Sequence, residues 1–213
     1  MAAASLSVII PTCDRPEYVR QALISVLRQT SLPQEILVID NGTEPLRVDL
    51  LPESSLIRLV RALPCFGVSQ ARNLGALISQ FDIIAFLDDD DEWDRGYLAS
   101  VRKTQRDADA DIVLGRLCDR ASKRPIANKQ ACFHDESDLI NKILVRNPGT
   151  VGSNTSVLRD TFMLGSGYDP SLTTGQDKAL VLDLLLGGAS VKRADDARVY
   201  FRNDWTLPRQ SEL

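Results

Sequence analysis

Apolar runs too short for helices recur along the first half of this 213-residue chain, each parted from the next by a longer amphipathic or polar stretch. Ser7-Val8-Ile9-Ile10-Pro11-Thr12, Glu35 to Asp40, Leu56 to Val60, Ile83 to Leu87 and Asp111 to Gly115 are rich in β-branched residues and mostly lack alternation. That pattern predicts strands covered on both faces of a mostly parallel sheet. After the first of them, Pro16 can occupy the first turn of a helix running to about Gln29, with Val19, Leu23, Val26 and Leu27 at helical spacing. Ala71, Leu74, Leu77 and Ile78 mark a second helix opened by Gly67-Val68, and a third is predicted from Arg95 to Asp107. Strand, helix, strand at such spacing is a right-handed βαβ unit, so the class is α/β.

Beyond Gly115 the rhythm loosens. Ala121 to Asp135 reads as loop, Asp138 to Val145 as a helix stopped by Asn147-Pro148-Gly149, and Thr150 to Leu158 as a strand with a short helix over Arg159 to Leu164. Gln176 to Leu186 predicts an apolar helix ended by Gly187-Gly188, after which Val191 and Val199 to Arg202 close the chain as short strands. With no repeat and no long linker, residues 1–213 are expected to form one domain.

One stretch breaks the apolar pattern abruptly. Ile83 to Leu87 runs straight into Asp88-Asp89-Asp90-Asp91-Glu92, and ligands of parallel sheets bind off the carboxyl ends of strands. If Asp88 and Asp90 project to one side of an extended chain, they sit roughly 6 Å apart and repel by about 3 kcal/mol at an effective dielectric near 20. A hard divalent cation, Mg²⁺ or Mn²⁺, would compensate, completed by substrate phosphates. Glu92 and Asp94 fit a solvated acidic turn instead, with Asp94 capping the helix that starts near Arg95.

Composition changes the picture mainly by exclusion. The chain is 44% hydrophobic and 25% charged, with net charge −4 and no basic block, which argues against nucleic acid as a partner. An acidic protein that binds an anionic substrate must place single arginines locally. The four cysteines follow no zinc or C-x-x-C spacing, which suggests a reduced, cytoplasmic protein. One histidine excludes multi-imidazole metal sites. Neither a signal peptide nor a membrane-spanning run is predicted, so the expected location is cytoplasmic, or peripheral at the inner face of a membrane.

Taken in order, V-I-I-P-T, I-L-V-I-D-N-G-T, V-S-Q-A-R-N-L-G and F-L-D-D-D-D-E-W resemble the family 2 glycosyltransferases of the GT-A fold, over roughly Leu6 to Arg202. The resemblance implies a nucleotide-sugar-binding half at about 6–100 and an acceptor-binding half at about 101–205. It assigns Pro11, Thr12, Asp40, Ser69, Arg72, Asn73, Asp88 and Asp89 to the donor, with a Mn²⁺ or Mg²⁺ ion on Asp88 and Asp90. Where family members place a Glu-Asp pair, this chain has Gln176-Asp177; Asp177 would be the general base and Gln176 departs from the pattern. Gly152, Ser153 and Asn154 are assigned to the acceptor region by resemblance alone. The Q-x-x-R-W motif of processive synthases is missing, since Phe201 stands at the glutamine position and Asp204 precedes Trp205.

The implied reaction is inverting transfer of one sugar from a nucleoside-diphosphate sugar, a UDP-sugar by preference, to a hydroxyl on a glycan, lipid-linked intermediate or small molecule. A sugar nucleotidyltransferase would share the sheet but show a Gly-rich basic loop after the first strand, where Pro11-Thr12-Cys13-Asp14-Arg15 stands. A non-catalytic nucleotide-sugar-binding relative draws its support from Gln176.

Overall fold

The computed structural model describes residues 4–127 and 132–202. Eight strands form one sheet: β1 (Leu6–Thr12), β2 (Glu35–Asp40), β3 (Ile57–Arg61), β4 (Ile83–Phe86), β5 (Glu92–Trp93), β6 (Ile112–Asp119), β7 (Thr155–Leu158) and β8 (Val191–Phe201). Their spatial order is β3-β2-β1-β4-β7-β6-β8-β5. Strands β3, β2, β1 and β4 are mutually parallel, as is the β6–β8 pair, while β7 runs antiparallel to both β4 and β6 and β5 antiparallel to β8. The α/β, mostly parallel sheet predicted from the apolar runs is the fold of this chain. Strands from before and after residue 100 belong to this one sheet.

Among the described residues six α-helices flank the sheet: α1 (Pro16–Leu27), α2 (Val68–Ile78), α3 (Tyr97–Ala108), α4 (Glu136–Val145), α5 (Arg159–Leu164) and α6 (Gln176–Leu186). Side chains alternate across a strand, and the core divides accordingly. Leu6, Val8 and Ile10 of β1 pack with Val19, Leu23 and Val26 of α1 and with Tyr97, Leu98 and Val101 of α3. Ile9 points the other way, into a second layer with Ala71 and Ala76 of α2, Phe86, Tyr168 and the α6 residues Leu180, Val181 and Leu184. Burying each large apolar side chain in these layers contributes roughly 1.5–3 kcal/mol. Helix α2 lies tight on β1 because residue 75 is glycine: a Cβ there would stand 2.5 Å from Ile9 Cγ2. Gly75→Ala would force one of the two apart, at about 1–3 kcal/mol.

The structure corrects several sequence expectations. The two short closing strands are one strand, β8, in which the register against β6 jumps from Gly115–Ala194 to Arg116–Arg198, a bulge that polar Asp195-Asp196 disguise in the sequence. Strand β6 continues past Gly115 to Asp119, and the strand expected over Thr150 to Leu158 is confined to its last four residues, after a 3₁₀ turn at Gly152–Asn154. Asp94 does not cap α3: Gly96 is the N-cap, without a side-chain bond, and the Asp94 carboxylate accepts from the Tyr200 hydroxyl at 2.7 Å. Glu92 is ion-paired with Arg120 rather than solvated. Among the described residues no helix is long and apolar enough to cross a membrane. Asp204 and Trp205, which bear on the missing synthase motif, lie outside the described residues.

Candidate active site

Strand β1 pairs with β2 on one side and β4 on the other, so the chain order reverses at β1 and leaves a crevice beyond the carboxyl ends of the strands. The acids after β4 open into it. They do so as a turn, not as the extended chain expected from spacing: the Asp91 N–H donates to the Asp88 carbonyl at 3.1 Å. Exposure still alternates, with Asp88 and Asp90 part-exposed and Asp89 and Asp91 buried at 1% each.

A cavity of about 240 Å³ occupies the crevice, with Arg15, Arg72, Asp88, Asp90, Asp91, Asn147, Val151, Gln176, Asp177 and Arg202 in its lining. Asp88, Asp90 and Asp91 and the Gln176-Asp177 helix start, 85 or more residues apart in the chain, therefore face one space. Of the sequence-assigned residues, Arg72, Asp88, Asp90, Gln176 and Asp177 are on its wall.

The inward acids are held by the fold. Asp89 receives Arg15 on both oxygens, Nε at 3.2 Å and Nη2 at 2.5 Å, and the Thr12 hydroxyl at 2.7 Å. Burial pushes its carboxyl up, and Arg15 and Thr12 oppose that shift. Asp91 accepts from the Ser153 hydroxyl at 2.5 Å and from the Arg202 N–H at 3.0 Å; burial and the neighbouring charges of Asp90 and Asp88 raise it well above the usual carboxylate range. The Ser153 hydroxyl in turn accepts from the Asp88 N–H at 3.1 Å. Ser153 and Asn154, both 0% exposed, thus lie beneath the cavity, where the Asn154 amide ties Gly115, Gly149 and Val151 together.

The outward acids meet arginines. Asp90 is 3.3 Å from Arg15, and burial together with the Asp88 charge raises its carboxyl. Asp88 is ion-paired with Arg72, whose other terminal nitrogen lies 3.3 Å from Asp177. Arg72 is 4% exposed, its guanidinium 4.9 Å above the Tyr168 ring, and its neighbours Asp88 and Asp177 hold its pKa above the ordinary arginine value against burial. Burial lifts Asp177 to about 6, with Arg72 pulling it down and Asp88 pushing it up. A carboxyl at that value is ionised near neutrality yet basic enough to take a proton.

The remaining assigned residues sit around rather than on the cavity wall. Asp40 accepts from the Gly42 N–H at 3.0 Å, an Asx turn, and from the Leu46 N–H at 2.8 Å, and pairs with Arg61 at 2.7 Å. The Asn73 amide bonds the Tyr168 backbone in both directions, at 2.8 Å each. Ser69 is buried one turn before Arg72 on α2, and its hydroxyl has no hydrogen-bond partner. Pro11 and Thr12 end β1 in full burial. Sequence reasoning missed Arg15, Asp91, Tyr168 and Arg202. Arg15 had a usable signal, since an acidic run at a strand end needs a cation and Arg15 follows the neighbouring strand by three residues. Arg202, whose guanidinium lies 4.1 Å above the Tyr18 ring, had none.

Asp88 and Asp90 suit a divalent cation by the chemistry of their oxygens and by the mutual repulsion that raises Asp90. Among the described residues no three acidic, histidine or cysteine side chains converge, so any such ion would need further oxygens from a ligand.

Comparisons with known proteins bear on the family and the fold. Residues 7–162 match the model of glycosyl transferase family 2. The chain is 23% identical over 114 residues to glycosyltransferase GlyG of Streptococcus pneumoniae, covering 52% of this chain and 38% of that one. It is 34% identical over 116 residues to the succinoglycan biosynthesis protein ExoW of Rhizobium meliloti, covering 51% and 36%. The chain thus spans little more than a third of these relatives. S. aureus TarS 1–349 in complex with UDP-GlcNAc superposes with a TM-score of 0.76 at 15% identity, over 97% of this chain and 60% of that one. The fold is that of the GT-A glycosyltransferases, and the chain belongs to glycosyl transferase family 2.

Proposed function

We propose that this chain transfers a single sugar from a nucleoside-diphosphate sugar to an acceptor hydroxyl by direct, inverting displacement. One observation carries the reading: a carboxyl at about 6, Asp177, and the acid run after β4 face the same cavity and share one buried guanidinium. Asp177 takes the proton of the acceptor hydroxyl as that oxygen attacks the anomeric carbon, and the diphosphate leaves on the Asp88–Asp90 side. Asp88 and Asp90 would hold a Mn²⁺ or Mg²⁺ ion, which when bound stabilises the negative charge on the departing phosphate. Asp89 and Asp91, locked by Arg15, Thr12, Ser153 and Arg202, fix the turn that aims the two outward carboxylates.

UDP is the proposed nucleotide, supported by the TarS structures with UDP-GlcNAc and with UDP on the same fold. Gln176 does not favour a non-catalytic reading. Its amide donates to the Leu172 carbonyl at 2.9 Å, a bond that holds the loop before α6 and that a glutamate could not make. The deciding experiment is release of UDP from UDP-GlcNAc, with water or a hydroxyl acceptor, in Mn²⁺ and in EDTA. Metal-dependent release that Asp177→Asn abolishes is the expected result. Metal-dependent UDP binding without any release would leave a binding module.

A further inference from the structure

Arg72 is placed oddly for a residue that meets a diphosphate. It is 4% exposed, sealed below by the Tyr168 ring at 4.9 Å and above by Gly152, where a Cβ would stand 2.6 Å from its Nη2 and 3.2 Å from Asp88 Oδ1. Glycine at 152 is what leaves room for the guanidinium. Within that slot the side chain bridges two carboxylates of different duty, Asp88 on the donor side and Asp177 on the acceptor side. The bridge is unsaturated: Arg72 Nε is buried without a hydrogen-bond partner, and Asp177 Oδ1 meets Arg72 Nη1 as an ion-pair contact at 3.3 Å without a hydrogen bond. The Asp88 main chain is pinned by Ser153, so only its carboxylate can change partners.

One cation between two anions cannot satisfy both fully. Asp88, which Arg72 holds through Oδ1, would also hold a divalent ion bound with a nucleoside diphosphate, and that ion would draw on the same carboxylate. The guanidinium, at the cavity wall, is held in place between the Tyr168 ring and Gly152. Asp177 is the anion left within reach.

We propose that Arg72 is a positioning residue that couples the two halves of the site: it restrains Asp88 before the donor binds, and it orients Asp177 as the base once the donor has drawn Asp88 away. This rests on the transferase reading above. It parts from the expectation that Arg72 supplies positive charge to the donor, because such a role requires the guanidinium to touch the diphosphate.

The test compares Arg72→Met, Arg72→Lys and Gly152→Ala with the wild-type protein by calorimetric titration of UDP with Mn²⁺ and by steady-state release of UDP from UDP-GlcNAc. Arg72→Met is expected to bind UDP with Mn²⁺ within threefold of wild type or tighter, with donor KM similarly unchanged and kcat reduced at least 50-fold. Gly152→Ala, which keeps the charge and displaces the guanidinium, should show the same split with a loss near tenfold, and Arg72→Lys should recover part of kcat. Circular dichroism confirms the fold of each variant, and Gly152→Ala decides the matter if Arg72→Met does not fold. A tenfold or greater loss of UDP affinity in a folded variant would overturn the inference in favour of direct donor contact. Wild-type kcat and KM in both Arg72→Met and Gly152→Ala would overturn it too, while leaving the transferase reading intact. A wild-type protein that neither binds UDP with Mn²⁺ nor releases UDP would bring down both.

Discussion

Two arginine clusters line the same cavity and are built to opposite rules. Around Arg15, every buried oxygen of Asp89 has a donor: two guanidinium nitrogens and the Thr12 hydroxyl. Around Arg72, buried capacity is left over on Arg72 Nε, Asp177 Oδ1 and the Tyr168 hydroxyl. A saturated buried ion pair fixes geometry, and removing one partner strands a charge in low dielectric. An unsaturated one can exchange partners at small cost, which is what a site needs when a substrate brings its own charges. On the proposed reading the Arg15 cluster is scaffold, and the Arg72 cluster is where the chemistry would act.

That contrast is tested most severely at Asp177. Asp177→Asn should lower sugar transfer by roughly 10²- to 10⁴-fold, the usual contribution of a general base, which is about 3 to 5 kcal/mol of transition-state stabilisation. UDP binding should stay within a few-fold of wild type, since on the proposed reading the residue meets the acceptor and not the nucleotide. The pH dependence supplies a second check. The base must be ionised, so kcat should fall as pH drops through about 6, the value to which burial lifts Asp177. Wild-type turnover in a folded Asp177→Asn protein would remove it from the mechanism.

Asp89→Ala should do the reverse. It removes the carboxylate that Arg15, its side chain 9% exposed, meets through two nitrogens, and breaking a buried pair costs about 3 to 5 kcal/mol of stability. Its melting temperature should drop by roughly 2–4 °C per kcal/mol in a chain of this size. A stable Asp89→Ala protein with turnover lost would mean that the Arg15 cluster is catalytic after all. Next in size, Asp90→Ala or EDTA should weaken UDP binding about tenfold, or roughly 1.4 kcal/mol; equal affinity with and without metal would exclude a cation on Asp88 and Asp90.

The same contrast explains what could be read from sequence. Strands buried on both faces announce themselves as apolar runs, so β1 to β4 and the acids at the end of β4 were legible, and with them the fold. Local pattern does not reveal partners far along the chain. Thr12 and Asp89 are 77 residues apart, Asp91 and Arg202 are 111, and only the folded sheet shows that these pairs meet. The spacing set Asp88 and Asp90 apart from Asp89 and Asp91, and exposure alternates in that way, whereas only the folded chain shows that Asp89 is held by Arg15 and Thr12. Ser153 and Asn154 were assigned by resemblance to the acceptor, but the 3₁₀ turn directs their polar groups into the floor of the site. The β8 bulge was illegible for a simpler reason, since its extra residues are charged and read as the gap between two strands.

The smallest predicted effect is at Gln176, and it separates the two clusters most finely. In the family pattern this position carries an acid, so Gln176→Glu would seem a restoration. The structure predicts otherwise. Gln176 is 7% exposed and its amide N–H bonds the Leu172 carbonyl at 2.9 Å, so a glutamate there would set a carboxylate oxygen against a carbonyl oxygen. Losing a buried hydrogen bond and leaving its acceptor bare costs about 1 to 3 kcal/mol. Against that, a negative charge in the first turn of α6 gains roughly 0.3 to 1 kcal/mol from the helix dipole. The balance is a loss of about 1 kcal/mol, or a melting temperature lower by roughly 2–4 °C. The added carboxylate beside Asp177 would also disfavour its ionised form, so the acid limb of kcat should move to higher pH, with the plateau rate near wild type. A Gln176→Glu protein that melts higher and turns over faster would show that the amide is a lesion in the Arg72 cluster, not a part of its frame.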